Sequence, residues 1–568
     1  MDGQANAWVK DLCRPGDTSL RAGRAGPAIV AVCLAVAGVY WFIDTRSTLW
    51  DRDEPRFSRA TAEMIESGNY LYPTFNGQLR PDKPILIYWL MSVPMRVLGP
   101  TSLACRFFSS VGVALACGFT FLIARRFLDA RAGLWSMMIL ATTGLVMVEG
   151  TAATSDGILL PSMVAVMMLF ARGLTLGQRW YHVVGMGLAL GFGLLAKGPV
   201  ALLPIVVIAV AAWLIRESEV GIGSGLGRLG GAAVMGALLF LVWAVPANIA
   251  TGGEFLRLGI GHHVLARAAQ PLESHGGHFL LHLPYYLPVI AIGFFPWTLH
   301  LPGSISAVLG RRVGAGRFRE LFLAWVVSVV VIMTLVATKL PHDVLFAWPA
   351  IALAVGGTLA AAAQGQLADI DRRWLRGGIY FFGPVAAGAV VFSLAAPLWL
   401  HLPEAMISFW LAAAVLLATS VLAMRQQLQD RPQASAITLL VGVVILLLPV
   451  MFGVMPALEK VKVAPALARA VKQQTAPDVP VVTFDYGEPT LNFYVGRHID
   501  VLANEEAVIQ WARQAQPGVL VIPKTVLGEI ERRNGSLNLT EIASEKGLNY
   551  ARGETIEVAA LLRRGDDS

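Results

Sequence analysis

Between Leu49 and Tyr70 the chain reads LWDRDEPRFSRATAEMIESGNY, with Asp51, Arg52, Asp53, Glu54, Arg56 and Arg59 crowded into one short stretch. Carboxylates next to guanidinium groups are the raw material of proton transfer and of anion binding. Further along, Asp156 stands in TSDG, and Asp82 and Lys83 stand in RPDKP. Lys197 in AKGP, Arg267 in GHHVLARAAQ and Lys339 in ATKLPHD add three more cations. A set of this kind suits a reaction at a phosphate-bearing headgroup, with the cations on the phosphate and a carboxylate serving an acceptor. Each member also has an ordinary role: Asp156 can cap a helix, and the lysines can snorkel to a membrane interface. His262 and Asp82 are candidate ligands of a divalent metal, with His263 alongside. Nothing in the sequence requires a cofactor.

These residues are set in a chain that is 55% hydrophobic and 15% charged, with a mean hydropathy of +0.60. Soluble domains carry about 25% charged residues. Repeated apolar runs near bilayer length exclude a water-soluble globule. The formal charge of +7 therefore reflects a positive-inside bias, and no nucleic-acid partner is expected. The cysteines lack CxxC spacing and support neither zinc nor a disulfide framework.

The apolar runs predict about thirteen spanning helices. They lie near 26–43, 103–124, 133–149, 157–173, 181–195, 199–215, 230–249, 284–299, 320–337, 344–364, 377–397, 406–424 and 434–454. Alternate connections such as ARRFLDARAG and LGRRVGAGRFRE are rich in arginine, which makes that side cytoplasmic, together with an N-terminal tail that reads as part of a retained signal anchor. The loop 44–102, TAATSDG, the loop 250–283 and ATKLPHD then share the opposite side. Residues 81–99 are apolar but interrupted by Pro94 and Arg96. They are expected to lie along the membrane surface, with Tyr88 and Trp89 at headgroup level.

After about residue 455 the pattern changes to short strands (VPVVTFD, HIDVLA, GVLVIP, ETIEVAALLRR) alternating with amphipathic helices (NEEAVIQWARQAQ, TVLGEIERRN). The expected organisation is a transmembrane domain over 1–454, with an outer catalytic loop at 44–102, and a small extracytoplasmic α/β domain over 455–568. An odd number of spans from a cytoplasmic N-terminus places that domain in the periplasm of an inner-membrane protein. Its DYGEPTLNFY turn (485–494) reads as a strand-to-helix connection or as a binding surface. Transporters put ionisable groups near the bilayer midplane, whereas here they crowd one face, so an enzyme is preferred to a lipid-sugar flippase.

The motifs DEPRF, SGNYLYPTFNGQLRPDKP, TSDG, AKGPVALLP, LPYYLPVIAIGFFPW and TKLPHD, in that order, resemble the lipid A aminoarabinose transferases and the wider protein-mannosyltransferase-like glycosyltransferases. The resemblance implies a GT-C fold, a polyprenyl-phosphate sugar donor and inverting transfer to a lipid A or protein acceptor at the outer leaflet. On that pattern Asp53 is the first-loop catalytic carboxylate, Arg56 its neighbouring arginine, Asp156 the second acidic residue and Lys83 a contact to the donor phosphate. Two positions depart from it. Asp82 stands where aminoarabinose transferases favour glutamate, and Asp343 stands where many members have an aromatic residue. The most specific reading is transfer of 4-amino-4-deoxy-L-arabinose to lipid A. Transfer of mannose or galacturonic acid to protein or polysaccharide is the alternative.

Overall fold

The computed structural model describes residues 22–50, 52–177, 179–215, 222–259, 261, 284–314, 317–549 and 554–564. Each expected apolar segment is helical. By length and composition the described residues hold nine helices able to cross a membrane, or up to eleven if each of two bent pairs is one span. The difference from thirteen has two sources. The first apolar helix has only 16 such residues (Ile29–Asp44), and Trp180–Leu214 forms one continuous helical run. That run is not straight. Gly198 sits at φ +68°, where a side chain would be strained, and a 3-10 stretch follows it. The protein is a polytopic α-helical membrane protein.

The elements around the site are α1 (Ala22–Asp44), α2 (Asp53–Ser67), α3 (Leu86–Leu98), α4 (Ser102–Phe127), α5 (Ala130–Ala141), α6 (Gly144–Gly150), α7 (Ser155–Leu176), α8 (Trp180–Lys197), α9 (Phe318–Leu335) and α10 (Trp348–Ala363). Helices α5 and α6 meet at a 66° bend, so the chain turns at Thr142–Thr143 and brings Glu149 back toward the site. Helix α10 lies at the centre of the bundle, with Trp348, Ala352, Val355 and Leu359 fully buried. The spans after residue 369 instead expose much of their apolar surface. Tyr380 and Ile407 are 83% and 73% open, as expected of side chains that face lipid.

Helices α4 and α7 approach closely because Gly112 and Gly157 face each other. A Cβ on Gly112 would stand 2.1 Å from the Gly157 carbonyl oxygen. Only glycine permits that distance, and the contact fixes the first turn of α7, which carries Asp156. Gly112→Val is expected to force the two helices apart and cost about 1–3 kcal/mol. A lowered thermal midpoint in detergent, with activity falling in parallel, is the measurement that checks it.

Helix α3 is short and leaves Val93 and Val97 58% and 80% exposed, in keeping with a helix along the membrane surface. Tyr88 of this helix is fully buried in the protein, its ring 5.8 Å from that of Phe57. Trp89 donates its indole N–H to the Tyr70 carbonyl.

Beyond the last span, α11 (Val463–Gln474) and α12 (Pro489–Val495) pack beside a five-stranded sheet. Its order is β4–β3–β5–β7–β6, from β3 (Val481–Thr483), β4 (Ile499–Val501), β5 (Gly518–Pro523), β6 (Thr540–Asn549) and β7 (Glu554–Arg563). A hairpin, β1 (Thr74–Phe75) with β2 (Gln78–Leu79), belongs to the first loop. Strands β4, β3 and β5 are parallel, and β7 and β6 run antiparallel to their neighbours. Strand β6 has no counterpart in the sequence reading. It is an edge strand carrying Glu541, Glu545 and Lys546, charges that protect an edge and dilute its apolar signal.

Candidate active site

A cavity of about 480 Å³ opens where the first loop, α6, α7, α8 and the turn before α10 converge. Its polar end is lined by Asp53, Asp82, Lys83, Glu149, Asp156, Lys197, His342 and Asp343. Its other walls are apolar, built by residues such as Leu159, Met163, Phe240 and Met333. Four sequence motifs that are far apart in the chain thus meet in one place.

Helix α2 begins at Asp53, which puts its carboxylate beside the unpaired amides of the helix start, a favourable position for negative charge. The Asp53 side chain is 57% exposed, and the Arg56 guanidinium lies 3.8 Å from its carboxylate. Burial, with Arg80 and Arg52 nearby, holds Arg56 below its ordinary value. Arg56 does not line the cavity. Asp82 is paired with the buried Arg80 at 3.0 Å, and Arg80 lies over the Phe57 ring at 5.1 Å.

Asp156 has a different environment. Its Oδ1 accepts a 2.5 Å hydrogen bond from Lys197 Nζ, and both side chains are nearly buried. Lys197 comes from the last turn of α8, immediately before the break at Gly198. Lysine and carboxylate thus compensate each other's desolvation. Lys83 lines the same cavity, close enough to act electrostatically on Asp156.

Lys339 is placed otherwise than the sequence suggested. It is buried, it does not line the cavity, and its ammonium donates to the Met333, Thr334 and Val336 carbonyls at the end of α9. It caps that helix, whose carbonyls have no intrahelical partners. Arg267, His262 and His263 lie outside the described residues, so the expected metal pair of Asp82 with His262 does too. Among the described residues no group of three or more His, Cys, Asp or Glu side chains is arranged to hold a metal.

Glu149 and His342 line the cavity without having been singled out from sequence, and Asp343 and Glu54 take on definite places. Glu149 accepts from Thr154 Oγ1 at 2.9 Å and lies 3.6 Å from His342 Nδ1. It sits in a run read as a plain span, yet a carboxylate inside an apolar run is itself a functional signal. Asp343 Oδ2 accepts from the Leu340 amide at 2.8 Å and from the Tyr286 hydroxyl at 3.1 Å, which holds it at the rim. Glu54, undecided in the sequence, is buried and bound at both oxygens to Arg106, at 2.8 Å each. The same oxygens accept the amides of Ala153 at 2.6 Å and Trp50 at 2.5 Å. Glu54 thereby ties the first loop to the turn that precedes Asp156.

Residues 82–245 match the family described as dolichyl-phosphate-mannose-protein mannosyltransferase. The undecaprenyl phosphate-alpha-4-amino-4-deoxy-L-arabinose arabinosyl transferase of Edwardsiella ictaluri (strain 93-146) is 30% identical over 314 residues, which cover 54% of this chain and 55% of that one. The second enzyme of that name in Sodalis glossinidius (strain morsitans) is 30% identical over 353 residues, 61% of this chain and 62% of that one. The chain thus spans a little over half the length of these relatives. The crystal structure of ArnT from Cupriavidus metallidurans bound to undecaprenyl phosphate superimposes with a TM-score of 0.73 at 21% identity, covering 93% of this chain and 97% of that one. The chain therefore has the GT-C fold seen in ArnT, and its sequence is similar to those of the aminoarabinose arabinosyl transferases and the protein-mannosyltransferase family, as its first loop and downstream motifs implied.

Proposed function

We propose that this chain is an integral membrane glycosyltransferase that moves 4-amino-4-deoxy-L-arabinose from a polyprenyl-phosphate donor to lipid A, with inversion, at the periplasmic face of the inner membrane. The supporting observation is the cavity itself, which combines carboxylates and lysines with largely apolar walls. Such a shape suits a sugar phosphate with a long isoprenoid tail. It also accounts for the quantity of membrane helix in a sugar-transfer enzyme.

The reaction breaks the bond between the anomeric carbon and the donor phosphate oxygen and forms one from that carbon to an acceptor oxygen. Negative charge grows on the departing phosphate. Lys83, with Lys197 beside Asp156, is the cation set available to stabilise it where it develops. In this reading Asp53 serves the acceptor from the opposite side. A hydroxyl acceptor gives its proton to the Asp53 carboxylate, whereas an already ionised lipid A phosphate needs only orientation. Lys83→Ala is expected to lower kcat and kcat/KM for the donor together, with little change in donor KM.

Transfer of a different sugar is favoured by one observation, the Asp343 carboxylate held at the cavity rim. Mass spectrometry of lipid A from cells with and without the protein decides between the two. A gain of one aminopentose per modified phosphate is expected. An unchanged lipid A profile, with a new sugar on protein or polysaccharide, would replace this reading with the other. Movement of donor across vesicles without transfer would instead make the chain a flippase.

A further inference from the structure

The irregular segment that leads into the cavity, Ser47–Trp50, is gripped from two directions. From α4, Arg106 donates to the Ser47 and Thr48 carbonyls at 3.2 and 3.1 Å. From the end of the last span, Glu459 accepts the Thr48 amide at 3.1 Å and the Thr48 hydroxyl at 2.6 Å, and from beyond it Tyr494 of α12 accepts the Leu49 amide at 2.8 Å. Lys462 completes this second grip. Its ammonium donates to Glu459 at 2.6 Å and to the Thr48 carbonyl at 2.9 Å, and it lies 3.5 Å from the centroid of the Trp50 ring. The Lys462 side chain is 1% exposed. Trp50 lines the cavity three residues before Asp53.

A buried ammonium over an indole face is among the stronger cation–π arrangements, because the cation has no water to fall back on. The same ammonium takes up a carbonyl that this irregular segment leaves without a backbone partner. We infer that Lys462 is a positioning residue of the transferase site, acting through Trp50 to fix the wall from which Asp53 works. The segment after the last span is then a working part of the enzyme and not merely an appended unit. The inference deepens the proposed transfer reaction and rests on it for its kinetic consequences.

Burial, opposed by Glu459, brings the Lys462 ammonium down to about 8. Arg106 and Glu54 face it across the segment, and Tyr486 and Glu488 from the sheet side. The folded value lies below the ordinary 10.5, so the unfolded chain binds more protons between those values. This group therefore adds stability as pH rises through that window. Loss of its charge releases Trp50 without unfolding the protein. A fall in activity above about pH 8 with no fall in thermal midpoint follows from the Lys462 value.

The test uses the full-length protein in nanodiscs. Hydrogen exchange over residues 47–54, read by mass spectrometry, needs no substrate. Lys462→Met is expected to speed exchange in that segment, and Lys462→Arg to recover most of the protection. With undecaprenyl-phosphate aminoarabinose and lipid A, Lys462→Met is expected to lower kcat/KM about thirtyfold, mostly in kcat, and to abolish the alkaline limb. Trp50→Leu is expected to give a similar loss, and the double variant no further loss. Unchanged exchange over 47–54 in Lys462→Met overturns the inference, and so do additive losses in the double variant. If Lys462→Met does not fold, Trp50→Leu decides by the same exchange measurement. A wild-type protein that transfers nothing removes the aminoarabinose reading alone, since the exchange result stands without turnover.

Discussion

Asp53→Asn is expected to yield a folded protein that transfers sugar about 10²–10⁴-fold more slowly, the usual contribution of a positioned base. Two carboxylates reach the cavity from helix starts, and their surroundings divide the work between them. Asp156 is nearly buried and its Oδ1 is bound to Lys197 at 2.5 Å, so its charge is compensated. Asp53 is more than half exposed, and Arg56 approaches only to 3.8 Å. An acceptor arriving from outside can reach Asp53 without breaking a buried ion pair. Asparagine keeps the size of the side chain and is at home near a helix start, so the thermal midpoint is expected to hold. Asp156→Asn is a different experiment. It leaves the Lys197 charge without its partner in a nearly dry site, so stability and activity fall together. Wild-type turnover in purified, folded Asp53→Asn defeats the assignment. The size of the loss also reports on the acceptor, because an ionised phosphate needs no base and loses only orientation.

The distribution of charge along the sequence led to this site because membrane segments tolerate so few ionisable groups. Asp53, Asp82, Lys83, Asp156 and Lys197 were each visible as charges next to apolar runs, and the cavity gathers all five. The direction in which a side chain points was not visible. Lys339 had the same sequence signature as Lys197, a lysine at the end of an apolar run. Lys197 faces Asp156, whereas Lys339 turns back onto the open carbonyls of its own helix. Only the break geometry after each helix separates the two outcomes. Glu149 escaped for the opposite reason. Its segment reads as one apolar span, and the 66° bend that returns it to the cavity depends on packing and leaves no proline or glycine pair as a marker at Thr142–Thr143.

Four of the five strands beyond residue 455 were legible, the central ones most plainly: VVT and GVLVIP are continuous apolar runs, and they form the centre of the sheet as β3 and β5. Strand β6 was not, because its charged and small residues, TEIASEKGLN, hold no apolar run. The DYGEPTLNFY turn is the strand-to-helix connection that was one of its two readings. It connects β3 to α12, and its Tyr494 hydroxyl takes the Leu49 amide from the first loop. Contacts of this kind join residues more than 400 positions apart, beyond the reach of any periodicity argument.

The largest structural effect is expected at Glu54. Glu54→Gln leaves Arg106 almost fully enclosed and without a carboxylate, which costs about 3–5 kcal/mol for a broken buried pair. The consequence extends beyond stability, because the same carboxylate accepts the Trp50 and Ala153 amides. One accepting oxygen holds the segment that leads into Asp53, and the other holds the turn that leads into Asp156. Loss of Glu54 therefore loosens both carboxylate-bearing segments at once. Removing both charges in Glu54→Leu with Arg106→Met is expected to recover part of the lost stability, since no unpaired charge is left in the core. Recovery stays incomplete, because the two amides and the Ser47 carbonyl still lose these partners. Thermal midpoints of the two single variants and the double variant give the coupling directly. Additive losses would mean that Glu54 and Arg106 act independently. A double variant with wild-type stability but little activity would place the value of the pair in aligning the site.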